Sequence, residues 1–108
     1  MARIPTRFHG PAALSNAAST KLTVAANESA IVRHIHVSNT SAGAVNFTAS
    51  IGADAAGTRI FDAFPIPAST QLDHWCYYVL AETEILQALG SVNNQLTLTI
   101  DGDRILLG

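Results

Sequence analysis

The sequence predicts an all-β fold, a single antiparallel β-sandwich of jelly-roll type with about eight strands and an extended N-terminal arm. Three observations predict it. Within residues 44–64, Val45, Phe47, Ala49 and Ile51 share one parity and Asn46, Thr48 and Ser50 the other, the period of a half-buried strand. A glycine-bounded turn, residues 52–57, then reverses the chain into a second apolar run that begins Thr58-Arg59-Ile60-Phe61. Elsewhere turn signals recur roughly every ten residues, and no long segment carries the 3.6-residue period of a helix bundle or a βαβ crossover.

The elements follow in order. Pro5 and Pro11 withhold backbone donors and bias their neighbours away from helix, so residues 1–11 read as extended. Residues 1–17 are expected to form the arm and residues 18–108 the sandwich domain; residues 12–19 are polar and alanine-rich and could form a helical turn. Residues 21–24 are a short strand and residues 25–28 a turn. Residues 29–39 form a long strand, with Ile31, Arg33, Ile35 and Val37 opposing Val32, His34, His36 and Ser38. Residues 39–43 turn the chain into the strand over residues 44–51.

After the 52–57 loop, residues 58–64 form a strand closed by Pro65 and Pro67, which argue against a central position in a sheet. Residues 70–80 are extended, with Leu72, His74, Cys76, Tyr78 and Leu80 on one side and Asp73, Trp75, Tyr77 and Val79 on the other. Residues 81–84 form an acidic turn. Residues 85–89 also fit a helical turn, and their length and the all-β context favour a strand. In residues 96–101, Leu96, Leu98 and Ile100 alternate with Thr97, Thr99 and Asp101. Asp101-Gly102 then reads as a tight hairpin, with residues 104–107 returning.

A chain of 108 residues fits one domain, which buries roughly two-thirds of its unfolded surface. Charged residues are only 13% of it, about half the usual share, against 48% hydrophobic. Ser, Thr, Asn and Ala must therefore cover most of the surface, which self-repels weakly and suits a protein packed among neighbours. An uncharged polar coat on a monomer is the alternative. Arg3, Arg7 and Lys21 precede any acid, whereas all eight acids lie from Glu28 onward with only Arg33, Arg59 and Arg104 to oppose them. That asymmetry favours contact between one subunit's arm and the next subunit's body, unless the arm is a solvated end. Three cations without an aromatic platform make no nucleic-acid patch. The leading residues lack the apolar core of a secretory signal, and no apolar run is long enough to span a bilayer, so no membrane partner is expected. Cys76, the single cysteine, has no partner for an internal disulfide and reads as a small buried hydrophobe.

Chemistry has few carriers. His34 and His36 lie two apart and hence on one face of a strand, a spacing that can hold a metal. His74 is the plausible third imidazole, but no glutamate follows at close spacing; a half-buried or interface histidine pair is the favoured reading, and no metal or cofactor is expected. Residues 73–78 hold the only Trp and both Tyr residues. Trp75 is either a core residue packed between sheets or, with Tyr77, part of a protein interface or a glycan-stacking platform. The pairs Asp101/Asp103 and Glu82/Glu84, like Asp54, read as turn residues. No serine sits in a nucleophile elbow, and Gly52 and Gly57 do not begin a phosphate or dinucleotide loop, so no catalytic residue is assigned and an enzyme is not expected.

The runs Ala30-Ile31-Val32-Arg33-His34-Ile35-His36-Val37-Ser38-Asn39-Thr40, Ser50-Ile51-Gly52-Ala53-Asp54-Ala55-Ala56-Gly57-Thr58-Arg59-Ile60-Phe61-Asp62 and Leu96-Thr97-Leu98-Thr99-Ile100 resemble, in pattern and length, small virion structural proteins of tailed bacteriophages. The resemblance spans most of residues 20–102 and carries over no functional residue. It implies a non-enzymatic building block of a tail, tail tip or capsid exterior, made in the host cytoplasm and assembled with copies of itself and other virion proteins. On that reading Arg3, Arg7 and Phe8 are the expected arm contacts, and deleting residues 1–11 should leave the fold intact. Asn46, Thr48 and Ser50 offer a neutral contact face. The alternative is a carbohydrate- or receptor-binding module that uses Trp75 and Tyr77 on a host-surface glycan.

Overall fold

The computed structural model describes residues 2–107. Eight strands, β1 (Ala2–Ala13), β2 (Ser19–Thr23), β3 (Glu28–Asn39), β4 (Val45–Ile51), β5 (Arg59–Ile66), β6 (Thr70–Leu80), β7 (Ile85–Gly90) and β8 (Leu96–Leu106), are joined by turns and one short 3-10 segment, Ala56–Thr58. They form two four-stranded antiparallel sheets, ordered β1-β8-β3-β6 and β2-β7-β4-β5. The core lies between them: Val32, Ile35, Val37, Leu96, Leu98 and Ile100 face Phe47, Ala49, Ile66, Leu86 and Ala88, all essentially inaccessible to water.

The residues that predicted the β4–β5 hairpin form it, with Val45 opposite Ile66, Phe47 opposite Phe64 and Ala49 opposite Phe61. Pro65 sits on β5 at a sheet edge, where a missing donor leaves no ladder bond unmade. Residues 85–90 are a strand, since Leu86 and Ala88 are buried on one parity while Ile85, Gln87 and Leu89 lie half-exposed on the other.

Four expectations need correction. The leading segment is extended, but β1 pairs with β8 from Ala2 to Ala13 as the edge of the first sheet, so the segment belongs to the sandwich and truncation at Pro11 would strip an edge strand. Asp101-Gly102 makes no hairpin: β8 runs straight through it, central between β1 and β3, and Asp101 and Asp103 are strand residues. In β3 the pairing register shifts between Val32 and His34 on both sides. That bulge turns Val32 inward with Ile35 and Val37, while His34 and His36 face outward.

The fourth concerns the polar parity of β4. Asn46 is exposed, but Thr48 and Ser50 are buried, Thr48 against β5 and Ser50 against the 52–57 loop. Thr48 Oγ1 accepts from the Ala63 amide at 3.0 Å, and Ser50 Oγ donates to Asp54 Oδ1 at 3.0 Å. Asp54 also takes Arg59 Nε at 3.0 Å, and Arg59 reaches Asp62 with its other arm. The Arg59 hydrogen bond, then that of Ser50, holds the Asp54 carboxyl below the usual carboxylate range. A lowered folded-state pKa contributes stability that is complete above the unfolded value near 4 and is lost as pH falls through the folded one. Asp54→Asn is therefore expected to show a gap in urea midpoint from wild type that holds steady between about pH 7 and 5 and closes below about pH 4. A gap that does not change with pH would mean the carboxylate charge is irrelevant to the loop.

Candidate functional site

The outer face of the β1-β8-β3-β6 sheet collects the side chains that sequence left open. On β6, a free edge, Leu72, His74, Cys76 and Tyr78 turn inward and pack against the core, and Leu80 is fully buried. The opposite parity therefore points to solvent. Trp75 is 75% exposed, Tyr77 60% and Val79 58%. A core tryptophan between sheets is thus not what this chain builds. Three large apolar side chains instead stand in a row over about 13 Å of strand.

The row is backed from β3. Trp75 lies flat on the His34 ring, centroids 3.9 Å apart and planes at 11°. The Arg33 guanidinium lies 5.4 Å from the Tyr77 ring centroid, a cation–π contact. Arg33 is itself held by Asp103 on β8 through Nε–Oδ2 at 2.5 Å, and Arg3 on β1 reaches the same oxygen at 3.9 Å. Both aromatics are consequently supported on one side, which limits the rotamer freedom they lose on contact with a partner.

Beside the row, Asp73 Oδ1 accepts from His36 Nδ1 at 2.6 Å and from His34 Nε2 at 3.0 Å. The His36 hydrogen bond and then that of His34 draw the Asp73 carboxyl below its ordinary pKa. His74, the expected third imidazole, is on the other face, where Nε2 meets Tyr78 Oη at 3.1 Å and the ring packs edge-on against Phe61. Tyr78 is thereby kept off the platform, as strand alternation required. Cys76 Sγ donates to the Val32 carbonyl oxygen at 3.4 Å, and burial raises its thiol pKa, which suits a packing residue and not a nucleophile.

Of the arm residues, Arg3 and Arg7 are exposed, whereas Phe8 is half-buried and packs against the core. The acidic pairs have structural partners: Glu82 accepts from the Asn27 amide and Glu84 from the Ala81 amide. Sequence reasoning placed Asp73 on the parity of Trp75 and Tyr77 but missed its meeting with the two histidines, which depends on β3–β6 pairing. Arg33 was hidden because the bulge breaks the alternation it was read from.

No protein-family model matches the chain, and no curated protein or solved structure matches it.

Proposed function

We propose that this chain is a non-enzymatic structural protein of a virion, a jelly-roll-like building block of a tail, tail tip or capsid exterior that associates with its own copies through the outer face of β6. The observation that carries the reading is the exposed row Trp75, Tyr77 and Val79, backed by Arg33 and His34. Trp, Tyr and Arg are the side chains that dominate binding energy at protein interfaces, and an apolar row of this kind on a surface with so few charges marks a contact. Successive strands switch sheets at every step except the β4–β5 hairpin, and β1 lies beside β8, an arrangement that supports the jelly-roll wrap. The resemblance to small phage virion proteins supplies the setting.

Trp75→Ala/Tyr77→Ala is the test. Both side chains are outside the core, so the double variant loses only the His34 stacking and Arg33 cation–π contacts and should keep its unfolding free energy within about 2 kcal/mol of wild type. In sedimentation the wild type is expected to populate oligomers that the double variant does not form. A monomeric wild type, or a variant that assembles normally, sinks the proposal.

One observation favours a second reading. The Trp75 ring is pinned flat by His34 with its far side open, a geometry that stacks on the apolar face of a sugar. Retention of the wild type on immobilised glycans, lost in the double variant, would carry that reading in place of self-association.

A further inference from the structure

Beside the contact row, and sharing His34 with it, stands a group of ligating side chains that the row does not explain. His34 and His36 project from one face of β3, and the antiparallel register places Asp73 of β6 opposite His36. One nitrogen from each imidazole and one Asp73 oxygen lie within 4.8 Å of one another. Two imidazole nitrogens and a carboxylate oxygen are a donor set for a borderline divalent ion, and three protein ligands leave a fourth position open.

The dimensions suit such an ion. Ligands about 2.0–2.2 Å from a tetrahedral Zn²⁺ stand roughly 3.3–3.5 Å from each other. Asp73 Oδ1 is already 2.6 Å from His36 Nδ1 and 3.0 Å from His34 Nε2. Admitting an ion needs side-chain rotations that widen these two contacts by under about 1 Å and bring the two imidazole nitrogens, at most 4.8 Å apart, to the same spacing.

The surroundings hold the donors in place. All three ligands come from paired strands, a firmer base than loops. Trp75 fixes the His34 ring plane, and that side chain is only 16% exposed. The other His34 nitrogen, Nδ1, faces Asp101 Oδ2 of β8 at 4.0 Å. An outer carboxylate on the far nitrogen is how ligating imidazoles are commonly oriented. With an ion on Nε2, the His34 proton resides on Nδ1, directed toward that carboxylate.

We propose that His34, His36 and Asp73 form a surface site for one divalent transition-metal ion of the Zn²⁺ class, with Asp101 as a positioning residue. His74 has no part in it.

The test uses the full chain free of any affinity tag. Zn²⁺ binding is followed by calorimetry, and Co²⁺ binding by its visible bands and by quenching of Trp75, the single tryptophan, which lies against a ligand. One ion per chain is expected. His36→Ala and Asp73→Asn should each weaken binding by at least about 100-fold, and Asp101→Asn by about 10-fold. His74→Ala should leave affinity unchanged. Circular dichroism checks the fold of each variant, and the near-isosteric Asp73→Asn keeps the test decisive if His36→Ala misfolds. Absence of saturable binding, a change under about threefold in both ligand variants, or loss of binding in His74→Ala overturns the site and leaves Asp73 simply hydrogen-bonded to two histidines.

Discussion

Gly102→Ala is expected to destabilise the chain by about 3 kcal/mol or more, a fall in melting temperature of roughly 4–8 °C per kcal/mol for a domain of this size. Gly102 lies in the middle of β8, paired with Val32 of β3 on one side and Thr6 of β1 on the other. A Cβ built there would stand 1.9 Å from the Ile31 carbonyl oxygen and 3.0 Å from Phe8 Cε2. The first of these is backbone, so no rotamer change relieves it. Either β3 moves off β8, loosening the ladder beside the bulge, or β8 itself bends. Phe8 would be pushed from the core at the same time. Gly43→Ala is the control, because an added Cβ meets nothing within 4 Å, and it should stay within about 0.5 kcal/mol of wild type. Urea unfolding of the two variants side by side decides the matter; equal midpoints would mean that strands β3 and β8 are not this close.

That glycine also shows where the sequence was legible and where it was not. Asp-Gly is the commonest signature of a tight hairpin, and the rule behind it is backbone conformation. In this chain the glycine answers to a neighbouring strand's carbonyl, a tertiary fact with no local trace. Pro5 and Pro11 misled for a related reason. A missing donor excludes a central strand, but it does not distinguish a free arm from an edge strand, which needs partners on one side only. By contrast, β4 and the first half of β8 were readable because apolar and polar residue types alternate along them, Val45, Phe47 and Ala49 against Asn46, Thr48 and Ser50, and Leu96, Leu98 and Ile100 against Thr97, Thr99 and Asp101, a pattern that needs no knowledge of a partner.

The candidate site divides in the same way. Alternation along β6 separates Asp73, Trp75, Tyr77 and Val79 from Leu72, His74, Cys76 and Tyr78, yet it cannot say which set faces the core. The decision comes from packing. Leu80 is wholly buried, and His74 and Tyr78 satisfy each other against Phe61, which leaves Trp75 and Tyr77 outside. The meeting of Asp73 with His36 and His34 spans 37 and 39 residues of sequence. It follows from strand order and register, and the bulge at Arg33 shifts that register by an amount no pattern of residue types announces.

Asn39→Asp should cost about 2–4 kcal/mol at neutral pH although it replaces one atom with another of nearly equal size. Asn39 ends β3 fully buried, and its amide nitrogen faces three carbonyl oxygens, those of Gly43 and Ile66 at 2.9 Å and of Pro67 at 3.2 Å. Its oxygen accepts from the Ser41 amide at 3.0 Å and from Ser41 Oγ at 2.7 Å. One side chain thus ties the β3–β4 turn to the end of β5, and joins the two sheets at that end. Aspartate keeps the acceptor for Ser41 but loses both donors and sets a negative charge against the three carbonyls. Protonation would restore one donor and remove the charge. The folded-state pKa of the new carboxyl should therefore lie above its unfolded value near 4, and the penalty should shrink as pH falls through the raised folded value to that unfolded one. Stability measured by urea titration from about pH 7 to 4 is expected to converge toward wild type at the acid end. A penalty that stayed constant, or grew on acidification, would show that loss of shape and not misplaced charge governs this turn.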